Sequence, residues 1–296
     1  MLKSHPYTVR RDGHTHTEYC YHGSGEKAEQ YVVQAIKNEF EIYSLTEHTP
    51  LPERLSSQIP NGPELIRELA MPFHELQHYL GMAEGLKEKY RDQIELLVGL
   101  EVDYIPGMES DTRQLLDSCG NRLEDGVLSV HFLPGKSGWR CVDYTPADFK
   151  DGLIDYYGSV DKVYQAYYDA VEQSIESDLG PNKPRRVGHL TLIHKYQDIH
   201  KPTDPDCCRE NIYRILSKVK AHNMELDFNV AGLFQPACRE IYPPEWIIQE
   251  ALRLNIPMIY GSDSHRVEHV GRGYDVFKEI MGTVSGADGS DERVEK

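Results

Sequence analysis

The chain has 296 residues, a formal net charge of −16 and 14 histidines. This length fits either two average domains or one α/β barrel. The acidic charge disfavours nucleic acid and anionic membrane surfaces as partners. No stretch approaches the roughly 18 apolar residues that span a bilayer. The segment Met1–Pro6 also lacks the apolar run of a secretion signal. We therefore expect a cytoplasmic protein without a nucleic-acid or membrane partner.

Short apolar runs typical of β-strands recur along the whole chain. In order they are Tyr7–Asp12, Ile42–Thr46, Glu95–Leu100, Val127–Val130, Arg186–Leu190, Glu225–Asn229 and Pro257–Gly261. Longer helical patterns lie between them, at Glu26–Phe40, Pro63–Tyr90, Asp111–Cys119, Val160–Asp178, Cys207–Asn223 and Pro244–Leu254. Regular alternation of this kind predicts an α/β fold of parallel strands joined by helical crossovers.

Two segments do not fit the alternation. Residues 132–158, rich in Gly, Trp and Tyr, are predicted to form a long loop over one end of the barrel. Residues 282–296, rich in Gly, Ser, Asp and Glu, are predicted to form a flexible C-terminal tail. The rest of the chain, residues 1–281, is then expected to form one domain. The helical segment 63–90 is a candidate cover for the mouth of the barrel.

Histidines and carboxylates fall at or just after the predicted strand ends. They are His14, His16, His22, His48, Glu101, His131, His189, Asp263 and His265. In a barrel of parallel strands, the C-terminal strand ends converge on one rim, so residues distant in sequence can share a pocket. Residues two apart in an extended segment point the same way, which suits the pairs His14/His16 and Asp263/His265. Nitrogen and carboxylate donors without thiolate favour zinc, iron or manganese.

Two other patterns offer different chemistry. The segment His74-Glu75-Leu76-Gln77-His78 fits the HExxH pattern of zinc proteases. No third ligand follows at protease spacing, so we interpret His74 and His78 as residues of a polar helix face. The six cysteines contain no CxxC pair, which argues against a zinc ribbon or a disulfide framework and predicts reduced thiols.

Seven short motifs resemble, in order, those of the polymerase and histidinol phosphatase (PHP) family, most closely its histidinol-phosphatase branch. They are Asp12-Gly13-His14-Thr15-His16, Cys20-Tyr21-His22-Gly23, Thr46-Glu47-His48, Gly99-Leu100-Glu101, Ser129-Val130-His131, Gly188-His189 and Gly261-Ser262-Asp263-Ser264-His265. The resemblance runs from about residue 10 to residue 275. It implies a distorted (β/α)7 barrel of TIM type with three divalent metal ions.

The resemblance also implies which residues bind each ion. The first ion would be bound by His14, His16, Glu101 and Asp263. Glu101 would bridge to a second ion, bound also by His131 and His189. His22, His48 and His265 would bind the third. Three divalent ions bring +6 and the two carboxylates remove 2, so about +4 would attract a phosphate to an acidic protein.

The implied reaction is hydrolysis of L-histidinol phosphate in histidine biosynthesis. A hydroxide bridging two of the ions would attack phosphorus. Glu101, Asp263 and His265 are the predicted catalytic residues. Arg239 and Lys195 are the predicted phosphate-binding cations, although an arginine is expected near Lys195 in the family. Glu18 or Glu47 is the predicted carboxylate for the substrate's ammonium group.

Two alternatives remain at this stage. The first is a PHP phosphoesterase that acts on another small phosphate ester, such as a nucleotide or a sugar phosphate. The second is a non-catalytic barrel that retains metal ligands for stability. Whether copies of the chain self-associate is also open.

Overall fold

Seven parallel strands form the centre of the protein. The computed structural model describes residues 9–60 and 62–287. In chain order the strands are β1 Arg11–Asp12, β2 Ile42–His48, β3 Glu95–Asp103, β4 Asp125–Ser129, β5 Phe132–Gly135, β6 Gly138–Cys141, β7 Arg186–Val187, β8 Glu225–Asn229 and β9 Met258–Gly261. The large sheet has the order β1-β2-β3-β4-β7-β8-β9, with every pairing parallel. All seven predicted strands are present.

The first and last strands meet and bring the sheet round into a nearly closed barrel. Gly13 N donates to Tyr260 O at 2.8 Å, and Asp263 N donates to His14 O at 2.8 Å. An isolated parallel bridge joins Thr15 to Ser264 just beyond these strands. The barrel predicted from the sequence is therefore confirmed.

Helices surround the barrel. In chain order they are α1 Ala28–Lys37, α2 Glu53–Ser56, α3 Gly62–Leu69, α4 Leu76–Tyr90, α5 Glu109–Cys119, α6 Pro146–Asp148, α7 Asp155–Tyr157, α8 Val160–Glu176, α9 Arg209–Ala221, α10 Glu245–Arg253 and α11 Tyr274–Ala287. Shorter 3-10 turns are Phe73–Glu75, Gly120–Arg122, Leu192–Tyr196, Ala231–Phe234 and Val267–His269, and a π-helix covers Phe149–Ile154. None of the helices within 9–60 and 62–287 is long and apolar enough to cross a bilayer.

The prediction that residues 63–90 form one continuous helical segment was wrong. The segment divides into α3, the 3-10 turn and α4. Pro72 lies at the break; it has no N–H to donate and disfavours helical backbone at the residue before it. Leu69, at the end of α3, lines the main cavity described below. The segment therefore does contribute to the barrel mouth.

The prediction of a loop over residues 132–158 was also wrong. Strands β5 and β6 form an antiparallel pair, followed by α6, the π-helix and α7. Phe132 and Cys141, at the open ends of this pair, line the main cavity. The segment thus builds one wall of the barrel mouth from regular structure.

A buried ion cluster fills the N-terminal end of the barrel. Arg186 is 1 % exposed, and its guanidinium donates to Asp125 Oδ2 at 2.7 Å. Arg11 donates to the same oxygen at 2.8 Å. Burial alone would raise the pKa of Asp125, but Arg186 and Arg11 lower it to about 2. Loss of one partner from such a buried group strongly destabilises a fold, so this end of the barrel is structural.

The C-terminal boundary differs from the sequence-based expectation. Helix α11 continues to Ala287, past the predicted domain limit at residue 281. Residues 288–296 lie outside the described residues, so the flexible tail stays a prediction.

Candidate metal centre

The carboxylate of Glu101 lies at the centre of the C-terminal end of the barrel. Two imidazoles lie beside its Oε2 atom, with His14 Nε2 at 3.2 Å and His48 Nδ1 at 3.1 Å. Two more lie beside Oε1, with His189 Nε2 at 2.9 Å and His131 Nε2 at 3.6 Å. Glu101 is 1 % exposed. One buried carboxylate thus contacts side chains from four other βα loops or strand ends.

His16 links this carboxylate to Asp263. Its Nε2 atom lies 3.5 Å from Glu101 Oε2 and 3.2 Å from Asp263 Oδ1. Asp263 follows β9 and has a φ of 49°, in the left-handed region. Aspartate tolerates that region better than most residues do. Gly261 ends β9 at a point where an added Cβ would lie 2.4 Å from Asp227 Oδ1, so only glycine fits there.

The remaining predicted ligands complete two edges of the cluster. His22 Nε2 lies 3.1 Å from His265 Nε2 on the outer edge. His131 Nε2 lies 3.2 Å from His189 Nε2 on the inner edge. All nine predicted ligand residues therefore gather at one end of the barrel, although their individual roles stay predictions.

The donor set fits divalent metal ions. Three overlapping groups place their ligand atoms within 4.8 Å of one another: His14/His16/Glu101, Glu101/His131/His189 and His48/Asp103/His131. In the part of the chain that the structure describes, His48 Nε2 is buried with no hydrogen-bond partner. A buried polar atom left unpaired costs stability, and a cation would supply its missing partner.

The pKa values of the histidines in the cluster shift in opposite directions. Burial, and then the nearby charge of His16, lower the pKa values of His48 and His265 well below the usual range. Burial alone would also lower the pKa of His131, but Asp103 and Glu101 outweigh it and raise that pKa to about 10. Burial opposes ionisation of Glu101, yet His14 and His48 lower its pKa well below the usual range. The ionised Glu101 and the neutral imidazoles of His48 and His265 are in the state that binds a metal, whereas His131 would release a proton on binding one.

Several carboxylates orient the ligand imidazoles from behind. Asp103 Oδ1 lies 2.8 Å from His131 Nδ1, and Glu47 Oε1 lies 3.1 Å from His16 Nδ1. Asp227 Oδ2 lies 2.6 Å from His14 Nδ1 and accepts from His189 N at 3.3 Å. Such contacts fix the tautomer and ring orientation of a metal-binding histidine.

Sequence reasoning missed Asp227 and Asn229. Asn229 Nδ2 donates both to Asp227 Oδ2 and to Asp263 Oδ2, each at 3.1 Å. The signal was available, since the two residues lie two apart at the end of a predicted strand and so face the same way. Neither carries an imidazole, so the pattern of histidines in the sequence does not point to them.

We expect Asp227→Asn to weaken metal binding by about 10- to 100-fold, since outer carboxylates contribute that much to metal affinity. Competition with a chromophoric chelator measures the effect. Asp92→Asn is the matched control, because Asp92 is exposed and lies before the start of β3, at the end of that strand opposite to Glu101. Equal metal affinity in the two variants would contradict an orienting role for Asp227.

A cavity of about 250 Å³ opens above the cluster. Glu101, Asp263 and His265 line its floor, and Leu69, Phe132 and Leu192 contribute apolar wall. Its cations are Lys195 and Arg272. A small, polar-floored cavity with apolar walls suits a small ligand whose two ends differ in character.

The two predicted phosphate-binding cations lie in different places. Lys195 lines the cavity, where its Nζ donates to Asp143 Oδ2 at 2.9 Å. Arg239 does not line it; its side chain is 70 % exposed and pairs with Asp198. Arg272, which sequence reasoning missed, lines the cavity and donates to Ser262 O at 3.1 Å. The second cation of the cavity therefore follows β9, not β8.

The two predicted ammonium-binding carboxylates also lie off the cavity. Glu18 Oε2 accepts from Ala28 N at 2.5 Å, at the start of α1. Glu47 is fully buried, and its Oε2 accepts from the backbone and hydroxyl of Thr17 at 2.8 and 2.7 Å. The acidic residues on the cavity wall are Asp103 and Asp143 instead.

The HExxH pattern does not form a metal site. His74 belongs to the 3-10 turn and His78 to α4, and both are exposed. Neither belongs to any candidate metal-binding group among residues 9–60 and 62–287. The interpretation of these histidines as a polar surface agrees with this placement.

A parallel barrel with histidines and carboxylates buried at its C-terminal rim, beneath a small cavity with two cations, defines a metal-dependent hydrolase. Comparison with known proteins narrows the class. The PHP domain model matches residues 12–231, and the PHP-associated model matches residues 247–284. The chain belongs to the PHP family.

Individual relatives agree with this assignment. The chain is 39 % identical to the histidinol-phosphatase of Bacillus subtilis over 91 % of its own length and 98 % of the relative. A solved Listeria monocytogenes structure, assigned as a histidinol phosphatase, matches with a TM-score of 0.87 and 41 % identity, over 90 % of this chain and 99 % of that chain. The Lactococcus lactis histidinol phosphate phosphatase, solved with zinc, L-histidinol and phosphate, shares the fold at a TM-score of 0.69 and 18 % identity, over 92 % and 93 % of the two chains.

Proposed function

We propose that the protein is a metal-dependent phosphomonoesterase that hydrolyses L-histidinol phosphate to L-histidinol and inorganic phosphate. The observation that carries the proposal is the buried Glu101 carboxylate, ringed by imidazoles at the floor of a small cavity. The Bacillus subtilis relative, 39 % identical over nearly its whole length, is a histidinol-phosphatase. A barrel that binds metal only for stability would not explain a cavity that is lined by Lys195 and Arg272.

We further propose that the centre binds three divalent ions. The grouping of His14, His16 and Glu101 supports one site, and that of Glu101, His131 and His189 supports a second. The contact between His22 and His265, beside His48, supports the third. Zinc in the Lactococcus lactis relative makes zinc the first metal to test. When bound, divalent ions would lower the pKa of a water molecule, and they would neutralise the phosphate oxygens while that water attacks phosphorus.

The protein's own side chains then bind and orient the substrate. Lys195 and Arg272 would hold the phosphate oxygens from the cavity wall. Arginine and lysine differ here, since the guanidinium can donate two parallel hydrogen bonds while the ammonium acts as a point charge. The guanidinium of Arg272 is fixed over the ring of Phe234, 4.8 Å from its centroid, which limits its movement.

The substrate carries an ammonium group on the carbon next to the one that bears the phosphate, and an imidazole at its far end. Asp143 is the best-placed carboxylate for the ammonium group. Burial alone would raise the pKa of Asp143, but Lys195 and His131 lower it well below the usual range, so the side chain is ionised. Leu69, Phe132 and Leu192 offer apolar wall against which an imidazole ring can pack. Asp143, unlike Glu18 and Glu47, lines the cavity.

A substrate panel tests the proposed function. We expect kcat/KM for L-histidinol phosphate to exceed that for nucleoside monophosphates, sugar phosphates and phosphoserine by at least about 100-fold. A site built to pair polar groups of one substrate rejects compounds that leave those groups unpaired. The measurement is phosphate release by the metal-loaded enzyme. A higher kcat/KM for any other ester would overturn the substrate assignment, and no release from any ester would favour the non-catalytic alternative.

A further inference from the structure

Asn229, at the end of β8, contacts two carboxylates of the metal centre with one side-chain amide. Its Oδ1 atom accepts a hydrogen bond from Ala231 N at 2.9 Å. A backbone N–H only donates, so this contact identifies the oxygen of the amide and directs its NH2 group toward the metal centre. The nitrogen donates to Asp227 Oδ2 and to Asp263 Oδ2, each at 3.1 Å. Both N–H groups of the amide therefore point at carboxylates.

The backbone around Asn229 fixes the direction of this amide. Asn229 N donates to Tyr242 O, and Tyr242 N donates to Asn229 O, both at 2.9 Å. Val230 N donates to Gly261 O at 3.1 Å, close to the loop that carries Asp263. Asn229 is also fully buried. Its amide is therefore held in place before any ion binds.

The two oxygens of Asp263 have different surroundings. Oδ2 accepts from the amide of Asn229. Oδ1 lies 3.2 Å from His16 Nε2 and 3.5 Å from His265 Nδ1, among the candidate ligands. A carboxylate can bind a metal through one oxygen or through both. A hydrogen bond that occupies Oδ2 leaves Oδ1 as the oxygen that can bind an ion.

The same amide connects Asp263 to His14. Asp227 Oδ2, which accepts from Asn229, lies 2.6 Å from His14 Nδ1. The two carboxylates each lie 3.1 Å from one nitrogen, so their oxygens are close enough for like charges to repel in a buried site. One N–H for each carboxylate offsets that repulsion. Without the amide, both Asp263 and the carboxylate that orients His14 would be free to turn.

We propose that Asn229 is a positioning residue of the metal centre, whose amide holds Asp263 so that only Oδ1 binds metal. The proposal rests on the proposed metal sites and not on the identity of the substrate. Loss of the amide should weaken one ion and spare the others. In the part of the chain that the structure describes, one candidate group contains no hydrogen-bond partner of the Asn229 side chain, namely Glu101, His131 and His189.

Asn229→Asp tests this at nearly unchanged size, because it exchanges the NH2 donor for a third carboxylate. We expect titration of the metal-free variant with Zn²⁺, in competition with a chromophoric chelator, to show one ion bound at least about tenfold more weakly and the others bound as in wild type. Asn211→Asp is the matched control, since Asn211 Nδ2 donates to Asp169 Oδ1 at 3.0 Å between the outer helices α9 and α8. It should keep every affinity.

Asn229→Ala removes the amide without adding charge, and it decides the question if Asn229→Asp does not fold. Equal affinity for every ion in wild type and in a folded variant would overturn the proposal, and so would equal weakening of all the ions. A third contrary result needs no variant: a crystal structure of metal-loaded wild-type protein in which both oxygens of Asp263 bind one ion. None of these measurements uses phosphate release, so failure of the proposed function would leave the role of Asn229 standing.

Discussion

Replacing Glu101 with glutamine should lower kcat/KM by at least about 1,000-fold. Loss of a single electrostatic contact to a reacting centre already costs about 100- to 1,000-fold in other hydrolases. Glu101 contacts His14, His48, His131 and His189 through its two oxygens, so one substitution alters every part of the cluster except its outer edge. The amide of glutamine removes the negative charge and offers only one oxygen.

Glu95→Gln is the matched control, because Glu95 begins the same strand, β3, at its opposite and exposed end. We expect its kcat/KM and metal content to stay at the wild-type values. Metal analysis of both proteins accompanies the kinetics. A near-normal kcat/KM in Glu101→Gln would contradict the claim that the Glu101 carboxylate is essential for catalysis.

Removal of the metal ions should abolish phosphatase activity and lower the melting temperature. The Nε2 atoms of His22 and His265 lie 3.1 Å apart, and His48 Nε2 is buried with no hydrogen-bond partner among residues 9–60 and 62–287. A ligand at 100 times its Kd stabilises the native state by about 2.7 kcal/mol. For chains of about 150–250 residues each kcal/mol shifts Tm by about 2–4 °C, so the loss of even one such ion would lower Tm by about 5–10 °C.

Dialysis against a chelator, followed by calorimetry and phosphate-release assays, measures both effects. Adding back zinc should restore activity and Tm together, which separates metal loss from irreversible unfolding. A metal-free protein that keeps its activity, as established by elemental analysis of the assayed sample, would contradict a metal-dependent reaction.

The alternation of strands and helices, and the position of the candidate ligands at strand ends, were readable from the sequence because both follow from local patterns. The two-residue spacing of His14/His16 and Asp263/His265 predicts a shared direction, and the barrel closure through Gly13 and Tyr260 brings the two pairs together. The sequence pattern predicted one helix over residues 63–90. Three residues between α3 and the 3-10 turn, the last of them Pro72, divide it.

The cations that line the cavity were harder to predict, because a cation's position depends on which way its loop turns. Arg239 and Arg272 both follow strands of the barrel, but Arg239 turns to the surface and pairs with Asp198, while Arg272 is held over the cavity by Ser262 O. Nothing in their local sequence separates these outcomes. The antiparallel pair β5–β6 was missed for a similar reason, since its Gly and Trp content is equally typical of loops.

The closure of the barrel by its first and last strands has a consequence for synthesis in the cell. His14 and His16 emerge from the ribosome early, whereas Asp263 and His265 emerge only after some 250 further residues. A nascent chain that stops before β9 lacks both the hydrogen bond from Asp263 N to His14 O and two of the proposed metal ligands. The candidate ligand set is therefore completed only when β9 joins β1, whereas the group of Glu101, His131 and His189 needs no residue of β9 or of the loop after it.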